Sequence, residues 1–308
     1  VKRVLITGAT SFIGEHLIKE LLQNGIEVIA VLRKNSSKRA DFLDKFKLKC
    51  HIIESDMNDY DKLPQLITGD VDTVVHLAWN GTRGHQRNDK NLQMDNNTCA
   101  VKALQTAVNL SVKNFLIAGS QAEYGDVDGI INEATLSSPS TQYGKQKYGF
   151  FCYAKEVCHN YRIRLLEPRF FSLYGPGDFE QTLIMSSLPK MMQNEFCDFS
   201  DGLQMWNYLY IGDAVRGMYQ LLEDENQPDG IYNFGSEDTR RLREYITEMK
   251  SITKSNSELH FGALGHNDSG KTGISPDIHK IMSIGWRPKV LFAEGIQKII
   301  DSWGEKNR

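Results

Sequence analysis

The stretch Arg3-Val-Leu-Ile-Thr7-Gly8-Ala-Thr-Ser11-Phe12-Ile13-Gly14 decides the fold. An apolar, strand-like run turns at a glycine and enters a helical pattern. Leu17, Ile18, Leu21 and Leu22 then fall at helical spacing until Asn24-Gly25 supplies a stop. A strand that passes through glycines into a helix predicts a βα unit able to hold a dinucleotide. Gly8 permits the tight turn and Gly14 permits close packing of helix on strand. The helix then offers unpaired N–H groups and a positive dipole end to a pyrophosphate. The usual middle glycine is Ser11 here, so Gly8, Ser11, Phe12, Ile13 and Gly14 are the expected cofactor-facing residues.

Outward from this turn, strand-like runs at Glu27–Leu32, His51–Ile53, Thr73–Leu77, Phe115–Ala118 and Arg164–Leu166 alternate with helical patterns. The helical stretches are Tyr60–Ile67, Leu92–Leu110 and Tyr143–Asn160. Such alternation predicts an α/β fold, a doubly wound parallel sheet of Rossmann type covered on both faces. After about Pro168 the alternation gives way to loops, which predicts a smaller, mixed C-terminal substrate region. The expected division is 1–168 plus about 206–234 for the dinucleotide-binding domain, and 169–205 plus 235–308 for the substrate region.

The 308 residues suit one large or two smaller domains and need no disulfide or metal staple. A net charge of −3 argues against a nucleic-acid or anionic-membrane binder, which needs a concentrated basic face. The five cysteines are scattered without a C-x-x-C pair, so neither a disulfide framework nor a zinc site is indicated. No apolar run approaches the roughly 18 residues of a membrane span. The expectation is a reduced, cytoplasmic protein that binds no metal.

Dinucleotide sites selective for NAD place an acid about 20 residues past the glycines, on the adenosine ribose. Here the second strand ends in Leu32 and Arg33, followed by Lys34, Ser36 and Ser37. A guanidinium fork suits a 2′-phosphate, which favours NADP(H) over NAD(H). The alternative for Arg33 is ordinary surface charge. Farther on, Ser120 follows a predicted strand, and Tyr143-Gly-Lys-Gln-Lys147 opens a helix 23 residues later. Positions four apart share a helix face, so phenol and ammonium can converge. A free phenol ionises near pH 10, and a nearby ammonium lowers that value. Tyr143 then exchanges a proton with a substrate oxygen that Ser120 also bonds.

With this set the sequence resembles the extended short-chain dehydrogenase/reductases, the nucleotide-sugar epimerase/dehydratase family. Asp56-Met57 is similar to the family's adenine-contacting pair. Val75-His-Leu77-Ala78 resembles V-x-H-x-A, and Asp95-Asn-Asn97 the start of the long helix near the cofactor. Glu167-Pro168-Arg169-Phe-Phe-Ser172-Leu-Tyr-Gly-Pro176 resembles the segment whose backbone meets the nicotinamide. Tyr208–Asp213, Tyr232–Gly235 and Gly285–Pro288 resemble later landmarks. The resemblance implies a catalytic set of Ser120, Tyr143 and Lys147. It also implies cofactor contacts at Asp56, Met57, Leu77, Ala78, Asn97, Tyr143, Lys147 and Pro168, a nucleotide-sugar substrate, and a homodimer paired through the helices at Leu92–Leu110 and Tyr143–Asn160.

The departures from the family pattern narrow this. Trp79 replaces a small residue and is expected to crowd the nicotinamide end. Ser172 replaces a substrate-contacting Asn, and Trp206-Asn207 an Arg-Asp pair whose Arg often binds the substrate diphosphate. Arg83 or Lys271 is a candidate substitute. The family's 4,6-dehydratases carry Asp-Glu directly after the catalytic Ser/Thr, where this chain has Gln121-Ala122. The 3,5-epimerase-reductases have a Cys where Ala122 stands. Hydride chemistry at one sugar carbon remains. Substrate contacts are expected from Arg83, Ser120, Ser172 and Trp206, with Glu123 facing either a sugar hydroxyl or solvent. The leading expectation is an NADPH-dependent 4-ketoreductase of a nucleotide-linked 4-keto-6-deoxy sugar. The alternatives are a 4-epimerase retaining NAD and a non-catalytic dinucleotide sensor.

Overall fold

The fold is that of a computed structural model, described for residues 1–265 and 274–306. Lys271 lies outside the described residues. The chain forms two compact units. The first is Val1–Gly125, Thr135–Phe170 and Val215–Tyr232; the second is Asp126–Ala134, Phe171–Ala214 and Asn233–Arg308.

The first unit alternates strands β1 (Arg3–Thr7), β2 (Glu27–Leu32), β3 (His51–Glu54), β4 (Thr73–His76) and β5 (Asn114–Ile117) with helices. These are α1 (Phe12–Gln23), α2 (Arg39–Phe46), α3 (Lys90–Asn109) and α4 (Gln142–Tyr161). The sheet runs β3-β2-β1-β4-β5, then Arg164–Phe170 and Gly230–Phe234. β1 pairs in parallel with β2 on one side and β4 on the other. The strand order therefore reverses between β1 and β4, where doubly wound sheets hold ligands beyond the carboxyl ends of their strands. Val4, Leu5, Ile6, Val74 and Val75 are fully buried, as both faces of a parallel sheet require. This is the α/β, Rossmann-type sheet that the glycine turn predicts.

Three elements differ from expectation. α2 has no counterpart in the sequence reading; Phe42 and Phe46, one turn apart, seat it with ring centroids 4.8 Å apart. The helix expected at Tyr60–Ile67 is a 3₁₀ segment, Met57–Leu66, which contains Pro64. The strand expected at Phe115–Ala118 ends at Ile117, and Gly119–Ser120 pairs separately with Arg169–Phe170. On α4, one of the two helices expected to pair across a dimer axis, Phe150, Phe151 and Ala154 are buried in the chain's own core, while Tyr153 is 47% exposed.

In the second unit Met205–Tyr210 pairs in parallel with Ser172–Tyr174 and antiparallel with Thr239–Arg241. Tyr174, Leu188, Tyr245, Ile296 and Ile299 are among its core residues. Two late landmarks of the sequence meet there. The Asp213 carboxylate accepts from the N–H groups of Lys289 and Val290, both at 2.8 Å. The buried Trp286 donates its indole N–H to the Asp213 carbonyl at 2.9 Å. Among the described residues no helix is long and apolar enough to cross a membrane.

Candidate active site

The glycine turn sits at the switch point. Gly8 has φ +71°, and a Cβ there would lie 2.6 Å from the Ala78 backbone nitrogen, so only glycine lets the β1 turn approach the end of β4. Ser11 caps α1, its hydroxyl accepting from the Gly14 N–H at 3.0 Å. Phe12 and Ile13 follow with the N–H groups that open the helix. His76, at the end of β4, is buried with Nδ1 2.8 Å from the Thr7 hydroxyl. Desolvation and the nearby Lys147 push its pKa down to about 3, so the ring is neutral and clamps β4 to β1.

Around this turn stand the other expected cofactor residues. Leu77 and Ala78 are buried at the end of β4. Asp56 is exposed after β3, and Met57 is buried with its sulfur accepting from Asn80 Nδ2 at 3.4 Å. Arg33 is exposed at the end of β2 and forms no ion pair among the described residues, whereas neighbouring Arg39 is paired with Glu54. Asn97, on α3, donates to the carbonyl and side-chain oxygens of Gln146, both at 3.0 Å. Pro168 is buried in the strand Arg164–Phe170. A glycine cradle at a helix N-terminus forms a donor set that fits the pyrophosphate of a dinucleotide.

The three expected catalytic residues, Ser120, Tyr143 and Lys147, lie in the first unit. Tyr143 and Lys147 project from the first turns of α4, one turn apart. Gly144 brings them in: a Cβ there would press into the Ala122 carbonyl and lie 2.9 Å from Pro139 Cβ. The Ser120 hydroxyl lies beside the Tyr143 phenol and favours its ionisation. Ser120 caps the short turn after it, accepting from the Ala122 N–H at 3.2 Å.

The electrostatics depart from the sequence expectation. Burial, with Glu123 nearby, pushes the phenol up to about 12 rather than down. Lys147 is not its close partner. Its ammonium donates to the Ala118 carbonyl at 2.7 Å and stands 4.1 Å over the Trp79 ring, but 5.9 Å from the centre of the phenol ring. Burial lowers Lys147 to about 8. Tyr143 is therefore a protonated phenol at neutral pH, the form that donates a proton.

Trp79 is part of this centre. It meets Tyr143 edge to face at 6.2 Å and bonds the buried Gln93 through its indole N–H at 2.7 Å. Gln93 also donates to the carbonyls of Gly81 and Gln86. Asn96 bonds the backbone of Asn80 in both directions. The loop after β4 is thereby pinned to α3, and it carries Arg83 and Arg87 toward Tyr143, whose ionisation both favour.

Glu123 corrects the sequence reading in its solvent-facing form, since it is fully buried. One carboxylate oxygen accepts from the Ser120 N–H at 2.8 Å and the other meets Arg169 at 3.3 Å. Arg169, also buried, donates to Glu167 at 2.8 Å. Two carboxyl groups thus share one guanidinium, and burial with the Glu123 charge holds Glu167 well above the usual carboxylate range. This triad braces Ser120 from behind. Ser172 and Trp206 belong to the second unit. Ser172 pairs with Tyr208, and Trp206 packs on the second core with its ring 6.3 Å from that of Tyr208. Asn207 is buried, tied to the loop Ser236–Thr239 by four hydrogen bonds. The sequence reading missed Arg87, although two arginines in Thr82–Arg87 signalled a charged loop beside the β4 terminus.

A glycine turn at the β1/β4 switch point and a Ser–Tyr–Lys set beside it define a dinucleotide-dependent enzyme. The comparisons place it further. Residues 4–235 match the model of the NAD-dependent epimerase/dehydratase family, and the chain belongs to that family. It is 25% identical to a dTDP-D-glucose 4,6-dehydratase of Mus musculus, across 99% of this chain and 89% of the relative. It is 27% identical to a dTDP-4-dehydro-6-deoxyglucose reductase of Escherichia coli, across 97% and 96%. In structure it superposes on a UDP-glucose 4-epimerase of Thermotoga maritima with a TM-score of 0.88, at 21% identity, covering 99% of this chain and all of the other. That last likeness is one of fold.

Proposed function

We propose that the protein is an NADPH-dependent 4-ketoreductase acting on a nucleotide-linked 4-keto-6-deoxy sugar, with Ser120, Tyr143 and Lys147 as its catalytic residues. The observation that carries this reading is the state of Tyr143, a buried, protonated phenol next to Ser120, which Gln121 and Ala122 follow rather than an acid–base pair. Such a site can donate one proton to a carbonyl oxygen but lacks the groups that would expel water.

In this reading Gly8, Ser11, Phe12, Ile13 and Gly14 hold the pyrophosphate. Arg33 faces the 2′-phosphate, and Asp56, Met57, Leu77, Ala78, Asn97 and Pro168 line the rest of the cofactor. When bound, the dinucleotide supplies a hydride. Ser120 orients the carbonyl oxygen by hydrogen bonding, and Tyr143 gives that oxygen its proton. Lys147 lies 2.7 Å from the Ala118 carbonyl, so its ammonium is fixed in direction and its remaining donors are free to orient a ribose. Arg83, Ser172 and Trp206 are the proposed substrate residues, and the functional form is a homodimer through α3 and α4.

The test is a panel of nucleotide-linked 4-keto sugars with NADPH and NADH. Consumption of NADPH with formation of a single 4-hydroxy product is the expected result. NAD retained through purification, with interconversion of 4-hydroxy epimers and no net consumption of reduced cofactor, would replace this reading with a 4-epimerase. Cofactor binding without turnover of any panel member would leave a sensor.

A further inference from the structure

We propose that Arg87 is a positioning residue for the proton step, holding the charge that forms on Tyr143 from the loop after β4. This rests on the reading of Tyr143 as proton donor. In the step itself the phenolic O–H bond breaks and an O–H bond forms on the substrate's carbonyl oxygen. The electron pair, and with it a negative charge, stays on the Tyr143 oxygen.

That phenolate needs a fixed cation. The Arg87 guanidinium lies over the Tyr143 ring, 5.1 Å from its centre. Lys147 is farther, at 5.9 Å, and its ammonium is engaged by the Ala118 carbonyl and the Trp79 face. Arg87 forms no ion pair among the described residues, and its buried Nε has no hydrogen-bond partner. Among the described residues no carboxylate pairs with it to compete with the ring for its charge. An arginine keeps that charge at every working pH.

The loop that carries Arg87 is held on three sides. Gln93 binds two carbonyls that precede Arg87, at Gly81 and Gln86. Asn96 binds Asn80. Asn88, the next residue, accepts from the Gln142 N–H at 3.2 Å, directly before Tyr143. The guanidinium and the phenol are thus positioned by neighbouring residues of two tethered segments. The charged groups acting on the phenol are Glu123 from behind Ser120, which disfavours ionisation, and Arg87 and Arg83 from the loop, which favour it, with Lys147 on its own helix. Arg83 is exposed, so its influence is the one that salt screens.

The experiment places 3,5-difluorotyrosine at position 143, which acidifies the phenol into a pH range the protein survives. Its ionisation is followed by ultraviolet difference absorbance, without substrate or cofactor. Arg87→Met should raise the apparent pKa by about one unit, a tenfold loss of acidity, and Arg87→Lys should restore most of it. Circular dichroism checks the fold, and Arg87→Gln serves if the Met variant does not fold. In the reductase assay with ordinary tyrosine, Arg87→Met should lower kcat about tenfold with KM unchanged. It should have no further effect on a Tyr143→Phe background, because both changes remove one interaction. A titration that does not move on loss of the charge overturns the proposal. So does a moved titration with unchanged kcat in an enzyme that turns over. If no keto sugar is reduced, the functional reading fails by itself and the titration still decides the role of Arg87.

Discussion

Gly144→Ala separates positioning from helix stability, because the two effects have opposite signs. In a helix interior the exchange of glycine for alanine gains about 1 kcal/mol of helix propensity. At position 144 the new Cβ would meet the Ala122 carbonyl carbon at 3.0 Å and Pro139 Cβ at 2.9 Å. Carbon atoms pack at about 3.5–4.0 Å, so the start of α4 must retreat by roughly 0.5–1 Å. Tyr143 is the adjacent residue and retreats with it from Ser120. A misplacement of about 1 Å in a catalytic constellation costs up to about 100-fold. The expected result is a 10- to 100-fold fall in kcat, read from consumption of NADPH, with no gain in stability. Gly149→Ala, in the same helix where a Cβ meets nothing within 4 Å, is the control. It should gain about 1 kcal/mol in urea unfolding and keep its kcat. If Gly144→Ala retains more than about a third of the kcat and gains stability like the control, the close approach at Ala122 does not position the phenol.

Tyr143→Phe should lower kcat by about 10²–10⁴-fold with little change in cofactor affinity, and more than about a tenth of the original kcat remaining would remove Tyr143 as proton donor. NADPH should bind at least about tenfold tighter than NADH by calorimetric titration; Arg33→Ala should abolish most of that difference and spare NADH, and equal affinities in the unmodified protein would refute the role of Arg33. His76 has its folded pKa pushed down to about 3 against about 6.5 unfolded, so between these values the unfolded chain binds the extra proton. Its contribution is therefore intact above pH 6.5 and lost as pH falls, by about 2 kcal/mol between pH 6.5 and 4.5, and His76→Gln should flatten that part of the stability profile. A monomer by light scattering at micromolar concentration would reject the homodimer.

What could be read in the sequence was local. The Thr7–Gly14 turn and the alternation after it announce the sheet, because glycine spacing and apolar periodicity are properties of neighbouring residues. Y-x-x-x-K likewise places Tyr143 and Lys147 on one helix face. What could not be read depends on residues far apart in the chain. The phenol is raised rather than lowered because it is buried and because Glu123 comes up behind it, and Glu123 is itself buried against Arg169, 46 residues later. Trp79 draws the Lys147 ammonium away from the phenol across 68 positions of sequence. Sequence also left α2 unassigned, since a single Phe42–Phe46 pair is too short a period to stand out from the charged run around it.

The knot at Asp213 bears on how the chain is made. The second unit draws on three separate stretches, and its Asp213 carboxylate accepts from the N–H groups of Lys289 and Val290, with Trp286 beside it. During synthesis at about 5–20 residues per second, the roughly 75 residues between these partners take about 4–15 seconds to appear. In that interval Met205–Tyr210 lacks its neighbour Thr239–Arg241 until that segment too has emerged. The first unit has all its segments once Tyr232 is out. A nascent chain thus holds a complete dinucleotide-binding half while the other half still presents an unpaired strand edge, and that edge is what a ribosome-bound chaperone would have to shield.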